Sequence, residues 1–206
     1  MAGTHEEQQL IAAGLPMVAG VDEVGRGCWA GPVVAAAVIL PHEFLCDQQA
    51  QIGIHDSKTL NPAMREQQAI NIRQIALGIG IGSVPAHLID QFGIATATQW
   101  AMMQAILQLP ILPDALIIDW VKLPELPLIQ RSIVRGDSIS VSVAAASIIA
   151  KVHRDQHMTA WDRRDSRYGW AEHKGYGTVQ HQRALQTYGV TSLHRRSFKP
   201  VAAFLD

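Results

Sequence analysis

Hydrophobic residues in this chain fall into short runs, several of which stop abruptly at an acid. Residues 17–23 carry Met17-Val-Ala-Gly-Val21 and close on Asp22 and Glu23. A run this short and this uniformly apolar predicts a buried strand. A second run, Gly31-Pro-Val-Val-Ala-Ala-Ala-Val-Ile-Leu40, follows a short glycine-rich connection, so the two strands are expected as antiparallel neighbours. Ala76–Val84 reads as a third strand, weakened by its three glycines. Ala115-Leu-Ile-Ile-Asp119 repeats the apolar-then-acid design, and Ile133-Val134 is expected to start one more short strand, stopped by Gly136-Asp137.

Between these runs the pattern is helical. Residues 1–15 read as a helical or frayed lead-in and 41–60 as loop. Asn61-Pro62 opens a helix, with Asn61 as N-cap and Pro62 at the first helical position. Pro85–Leu109 is expected as two helical pieces broken near Gly93. Ser140 to about Met158 contains Ala144-Ala-Ala-Ser-Ile-Ile-Ala-Lys151, a strong helix former, and 178–188 reads as a further helix. This order of elements implies an α/β class, a mixed sheet with helices on its faces. No internal repeat or low-complexity linker interrupts it.

The 206 residues fit one domain, and 48% hydrophobic content with 17% charge excludes a disordered chain. We divide it into a lead-in, 1–16, and a single main domain, 17–206, whose helical, basic region is about 151–206. Cys28 and Cys46 are too few for a disulfide framework, which favours a reducing compartment. Glu6 and Glu7 stand where a signal peptide would carry positive charge, and no apolar run reaches membrane-spanning length, so a cytoplasmic protein is expected. Charge is unevenly spread. Residues 1–150 hold 7 Lys+Arg against 13 Asp+Glu, whereas 151–206 hold 10 against 5, with five histidines. An acidic body beside a basic quarter fits a negatively charged site next to a surface for a polyanion, although a solvated basic face has the same signature.

Three apolar runs end at or near acid: Asp22-Glu23, Asp119 and Asp137. Strand ends in open α/β sheets can converge on one site. Four carboxylates there would repel unless cations neutralised them, and all-oxygen ligation favours Mg²⁺ or Mn²⁺ over zinc. Two such ions support in-line attack of water on a phosphodiester. A lone Asp after a strand also serves as a turn or capping residue, and Asp137 could open the alanine-rich helix that way. Vicinal acids such as Asp22-Glu23 have no common capping role. Gly25 and Gly27 bracket Arg26 and allow close approach of whatever binds there.

These residues resemble a known family. Gly20-Val-Asp-Glu-Val-Gly-Arg-Gly27 with Ala30-Gly-Pro-Val-Val-Ala-Ala-Ala-Val38 is similar to the opening signature of ribonuclease HII, the type 2 ribonuclease H family. The resemblance continues, in family order over roughly 17–200, through Asp56-Ser-Lys58, Ile118-Asp119, Arg135-Gly-Asp137, Val143–Asp155, His173-Lys-Gly-Tyr-Gly-Thr178 and His194-Arg-Arg-Ser-Phe198. It implies an RNase H-like fold, a central mixed five-stranded sheet flanked by helices with a helical C-terminal part. It also implies an endoribonuclease that cuts the RNA strand of RNA/DNA hybrids and the 5′ side of single ribonucleotides in duplex DNA, leaving 3′-hydroxyl and 5′-phosphate. By motif, Asp22, Glu23, Asp119 and Asp137 match the four catalytic, metal-binding acids, holding Mg²⁺ or Mn²⁺. Gly25-Arg26-Gly27 resembles the sensor of the ribose 2′-hydroxyl, the group that separates RNA from DNA. Tyr176 resembles the tyrosine that packs on the neighbouring deoxyribose. Lys58 and Lys174 are expected to meet phosphates and Ser147 to face the site, where it serves substrate or close packing; His173 is expected to cap a turn or touch the substrate backbone rather than act as a base.

The chain departs from the family pattern at Trp120, where a small residue usually follows the third acid, at Cys28-Trp29, and at Gly93, where asparagine is typical. A ribonuclease HIII-like enzyme is the nearest rival reading, but that family has lysine at Arg26 and an N-terminal domain for which about 16 residues leave no room. A catalytically silent hybrid-binding module and a phosphohydrolase for small substrates are the others. The expected enzyme is monomeric, with no membrane partner and no clamp-binding peptide in Val201–Asp206.

Overall fold

A computed structural model describes residues 2–47 and 60–205. In chain order the elements are α1 (His5–Ala12), β1 (Val18–Val24), β2 (Val33–Ile39), α2 (His42–Cys46), α3 (Pro62–Ile75), β3 (Gly78–Val84), α4 (Ala86–Leu107) and β4 (Ala115–Asp119). They continue with β5 (Ile129–Ile133), α5 (Gly136–Ile139), α6 (Val141–Asp162), a 3-10 turn at Ser166–Tyr168, α7 (Trp170–His173), α8 (Val179–Tyr188) and α9 (Lys199–Ala202).

The strands form one five-stranded sheet in the order β3-β2-β1-β4-β5. β1 and β2 pair antiparallel, as their short glycine connection requires, and β3 pairs antiparallel with β2. β4 lies parallel to β1 and β5 parallel to β4. Helices cover both faces, so the mixed α/β architecture implied by the hydrophobic pattern is the one observed. One face of the sheet packs on α4 through Ala97, Ala101, Met102 and Ala105. The other packs on α6 and α3 through Ala144, Ala145, Ile148, Ile149 and Ile72.

Small residues set how closely these layers approach. A Cβ on Gly80 or Gly82 would lie within 2.0 Å of a backbone oxygen of α4, at Ala105 and Ala101. The glycines that weaken β3 as an isolated strand are what admits the helix. On the opposite face a Cβ at Gly20 would lie 2.1 Å from the Ser142 carbonyl carbon, so α6 rests directly on the backbone of β1. Asn61 caps α3 by accepting from the Met64 N–H, with Pro62 in the first turn as expected. Gly93 breaks the 86–107 helix with φ 81° and ψ 158°.

Two local expectations need correction, and a third is decided between its two alternatives. Ile133 ends β5 rather than starting a strand. The strand Ile129-Gln-Arg-Ser-Ile133 is a polar edge, held by tertiary bonds: the Gln130 amide donates to the Leu123 and Leu126 carbonyls, and Arg131 meets Glu6 at 2.8 Å. The stretch after Leu40 contains α2, seated by buried Leu45, and is not all loop. The lead-in is docked rather than frayed. Buried Glu7 accepts from the Ser140 hydroxyl and the Ser142 N–H, placing a carboxylate at the N-terminus of α6 where the helix dipole favours it.

Gly20→Ala should therefore push α6 off β1 and destabilise the protein by about 2–3 kcal/mol or more. Thermal unfolding followed by circular dichroism should show a loss of roughly 5–10 °C; an unchanged midpoint would contradict this packing.

Candidate active site

Parallel pairing of β1 with β4 places Val21 opposite Ile118, so the next residues, Asp22 and Asp119, emerge side by side. Carboxylate oxygens of Asp22, Glu23 and Asp119 lie within 4.8 Å of one another. Asp22 is buried and Glu23 and Asp119 are partly so. Asp137 does not join that 4.8 Å group. It is buried in α5, next to Gly136, whose N–H donates to Asp119 Oδ1 at 2.8 Å. The structure thus gathers three of the four expected acids within 4.8 Å and places the fourth, Asp137, one residue after the Gly136 N–H that holds Asp119.

The electrostatics are those of a cation site. Burial, then the charges of Glu23 and Asp119, push the Asp22 carboxyl well above its ordinary range, against the Ser147 hydroxyl, which bonds to it. Burial also raises Glu23, and the Trp120 indole N–H, Arg26 and the Glu23 backbone partly offset this. Glu23 Oε2 is buried and has no hydrogen-bond partner. An orphaned carboxylate oxygen among crowded acids fits a hard divalent cation, which would supply the missing ligand and the missing charge. Ser147 touches the site, as its helical position implies.

Arg26 Nη1 sits 3.8 Å from Glu23 Oε1, and its guanidinium carbon lies 4.1 Å over the Trp120 ring. Trp120 Nε1 donates to the same Glu23 oxygen at 3.3 Å. Trp120 adopts φ +49°, a left-handed conformation that costs a bulky residue of order ~1–3 kcal/mol. The two bracketing glycines differ. Gly25 has φ +90°, and a Cβ there would meet Arg154 Nε at 2.3 Å, so it is needed by the fold itself. Gly27 is exposed, and a Cβ there would meet nothing within 4 Å.

Two buried arginines that sequence reasoning read as part of a basic surface hold this turn from within. Arg154 donates to the carbonyls of Ala30, Pro32 and Lys174 at 2.8–3.0 Å. Arg195 donates to those of Gly31 and Arg26, and burial lowers its pKa to about 10. The basic quarter is therefore partly a structural device. Lys174 is also turned inward, its ammonium donating to Thr159 Oγ1 and the Ala171 carbonyl. Lys58 lies outside the described residues.

Tyr176 is 43% exposed on a turn joined to the 25–31 segment. Trp29 and Ala30 donate their N–H groups to the Gly175 carbonyl, and the Tyr176 phenol, raised by burial and next by Cys28, bonds to the Cys28 thiol. Trp29 fills the space beside Gly177. The departure Cys28-Trp29 thus couples the two turns. Beneath them lies a neutral histidine network. His173 accepts from the Gly175 N–H and donates to the Tyr168 carbonyl, while His181 donates to the Tyr176 carbonyl and lies 3.1 Å from His194. His173 caps the turn, as expected. Burial depresses His181 and His194 to about 4, and the closeness of the imidazoles to one another, which penalises a proton on any of them, adds to this.

Both arrangements have measurable consequences. Unfolded histidines take up protons as pH falls through about 6.5, whereas these two resist until about 4. Their contribution is therefore complete above pH 6.5 and lost progressively toward 4; urea midpoints measured from pH 7 to 4.5 should fall, and a flat profile would contradict the network. Asp22→Asn should raise the melting temperature of the metal-free protein by about 2–4 °C, by relieving repulsion worth ~1 kcal/mol, and should abolish any stabilisation by added Mg²⁺ or Mn²⁺. A metal-induced shift equal to that of the parent would remove Asp22 from the ligand set.

A family model for ribonuclease HII matches residues 19–201. The ribonuclease HII of Herpetosiphon aurantiacus is 68% identical over 204 residues, covering 99% of both chains. Among solved structures, ribonuclease H2 from Pyrococcus horikoshii superposes with a TM-score of 0.76 at 23% identity, covering 91% of this chain and 96% of that one. Bst-RNase HIII in complex with Mn²⁺ superposes at 0.70 with 21% identity, covering 90% and 68%. The fold is thus the RNase H fold. With its acid cluster and this degree of identity, the chain belongs to the ribonuclease HII family and is a metal-dependent endonuclease of the ribonuclease H type.

Proposed function

We propose that this enzyme cuts the RNA strand of RNA/DNA hybrids and the 5′ side of single ribonucleotides in duplex DNA, leaving 3′-hydroxyl and 5′-phosphate. The observation that carries the reading is the direct contact between the acid cluster and the Gly25-Arg26-Gly27 turn through Arg26 and Glu23. Gly27 has no internal reason to be glycine, so its bare backbone is open to a sugar, and close approach to a 2′-hydroxyl is a use for it.

Asp22, Glu23, Asp119 and Asp137 would hold Mg²⁺ or Mn²⁺, two ions once substrate is bound. When bound, these ions supply charge neutralisation at the scissile phosphate and activation of the attacking water. The remaining work falls to the chain. Ser147 fixes the Asp22 carboxylate, and the Gly136 N–H fixes that of Asp119. Arg26, held against Trp120, presents a planar cation to a backbone phosphate. Tyr176 offers an exposed ring to the deoxyribose beside the ribonucleotide, on a turn held by His173 and His181. Lys58 and Lys174 are assigned to phosphates further along; Lys174 would use the donor capacity left by its two internal bonds. We place the enzyme in the cytoplasm as a monomer serving ribonucleotide removal, which suits its two free cysteines. Among the described residues no helix is long and apolar enough to cross a membrane.

A labelled duplex with one embedded ribonucleotide, incubated with Mg²⁺ or Mn²⁺, should be nicked once, at the 5′ side, while an all-DNA duplex stays intact. Asp119→Asn should lower the rate by about a hundredfold or more with duplex binding retained. Gly27→Ala should leave the melting temperature unchanged, since a methyl there meets no neighbour, yet blunt cleavage at ribonucleotides. Cutting of all-DNA duplex, or full activity in both variants, would overturn the reading.

A further inference from the structure

Beside the acid cluster lies a depression of about 410 Å³ lined by Ala95, Gln99, Trp120, Val121, Lys122 and Pro124. Trp120 belongs to both places: its indole N–H reaches Glu23, and its ring forms a wall of the depression. The floor is rigid. Val121 and Leu123 are buried on either side of Lys122, and the Gln130 side chain bonds both the N–H and the carbonyl of Leu123. Gln99 donates to the Lys122 carbonyl. This bracing leaves the Lys122 side chain exposed, and it forms no ion pair among the described residues.

The indole is held here against its own backbone preference, at φ +49°, and stays 40% exposed. A bulky, strained and exposed aromatic gains little for the fold, and strain of this kind clusters at ligand clamps. An aromatic wall, an exposed cation and a rigid floor match the chemistry of a nucleotide: a flat face for sugar or base and a positive charge for phosphate. The depression touches Glu23 through Trp120, so a strand whose phosphate sits at the acids would carry its neighbouring nucleotide across it.

We propose that Trp120 and Lys122 form a nucleotide subsite, in which the indole packs on the sugar or base adjoining the scissile phosphate and Lys122 meets the next phosphate. The proposal rests on the hybrid-cleaving reading above. It gives the site a second exposed aromatic beside Tyr176, each accompanied by a cation: Arg26 lies 4.1 Å from the Trp120 ring, and Lys151 lies 5.9 Å from that of Tyr176. Its strand-holding surface would thus extend to both turns.

Anisotropy of a labelled ribonucleotide-containing duplex, measured without divalent ions, reads the subsite independently of cleavage. Trp120→Ala should weaken binding by about tenfold, and in the cleavage assay the loss should fall on KM more than on kcat. Lys122→Gln, on an exposed side chain that does not threaten folding, should weaken binding and lower the salt slope by about one. Trp120→Phe keeps an aromatic face without the N–H and should retain most of the affinity. Unchanged binding in both Trp120→Ala and Lys122→Gln would overturn the subsite. So would a Phe variant as impaired as Ala, since the indole would then act through Glu23 alone. A parent enzyme that binds the duplex but leaves it uncut would refute the proposed activity, while the binding arm would still decide the subsite.

Discussion

Mutual repulsion among three carboxylates within 4.8 Å is the constraint around which this molecule is organised. Left to themselves, buried acids at such distances either separate or take up protons. Here they cannot separate, and their proton affinity rises instead. Asp22 and Asp119 are fixed by the register of two parallel central strands, and α6 is pressed onto β1 so closely that Gly20 has no room for a side chain. A close-packed interior transmits strain rather than yielding to it. The metal-free site therefore stores unfavourable electrostatic energy, which a divalent cation can relieve.

A second structural layer holds the turns above the acids. Arg154 and Arg195 are fully buried and together donate to five backbone carbonyls: Arg26, Ala30, Gly31, Pro32 and Lys174. A guanidinium suits this use because its planar fork of donors can bind several carbonyls at fixed angles. The neutral histidines do the same for the Tyr176 turn, each ring using one nitrogen as donor and the other as acceptor. The two turns, far apart in the chain, are thereby made a single rigid body, which is what a device that must compare a sugar with a cut point requires.

Much of this was legible in the chain. Short apolar runs located β1, β2 and β4 because strands buried on both faces read as continuous hydrophobicity, and β3 showed as an alternation of glycine with isoleucine. Asn61-Pro62 marked a helix start and Gly93 a break because both act through their own backbone geometry. Asp22, Glu23 and Asp119 stood out because acid at the end of an apolar run is costly without a partner. β5 was not legible: its edge position leaves its residues half-exposed, and Gln130 and Arg131 are held by contacts with Leu123 and Glu6 that no local pattern encodes.

By itself, then, the sequence determined four of the five strands, the start of α3 and the break in α4, and which acids close the apolar runs, all properties of neighbouring residues. Only the tertiary structure decided which charges face outward. Arg154, Arg195 and Lys174 look like surface cations in composition, yet they point inward, because the carbonyls they satisfy come from segments more than a hundred residues away or across a turn. It also decided that Asp22, Glu23 and Asp119 lie within 4.8 Å of one another, and that Trp120 bridges Glu23 and Arg26. Burial and distance between remote segments are set by packing, and packing is a property of the whole fold.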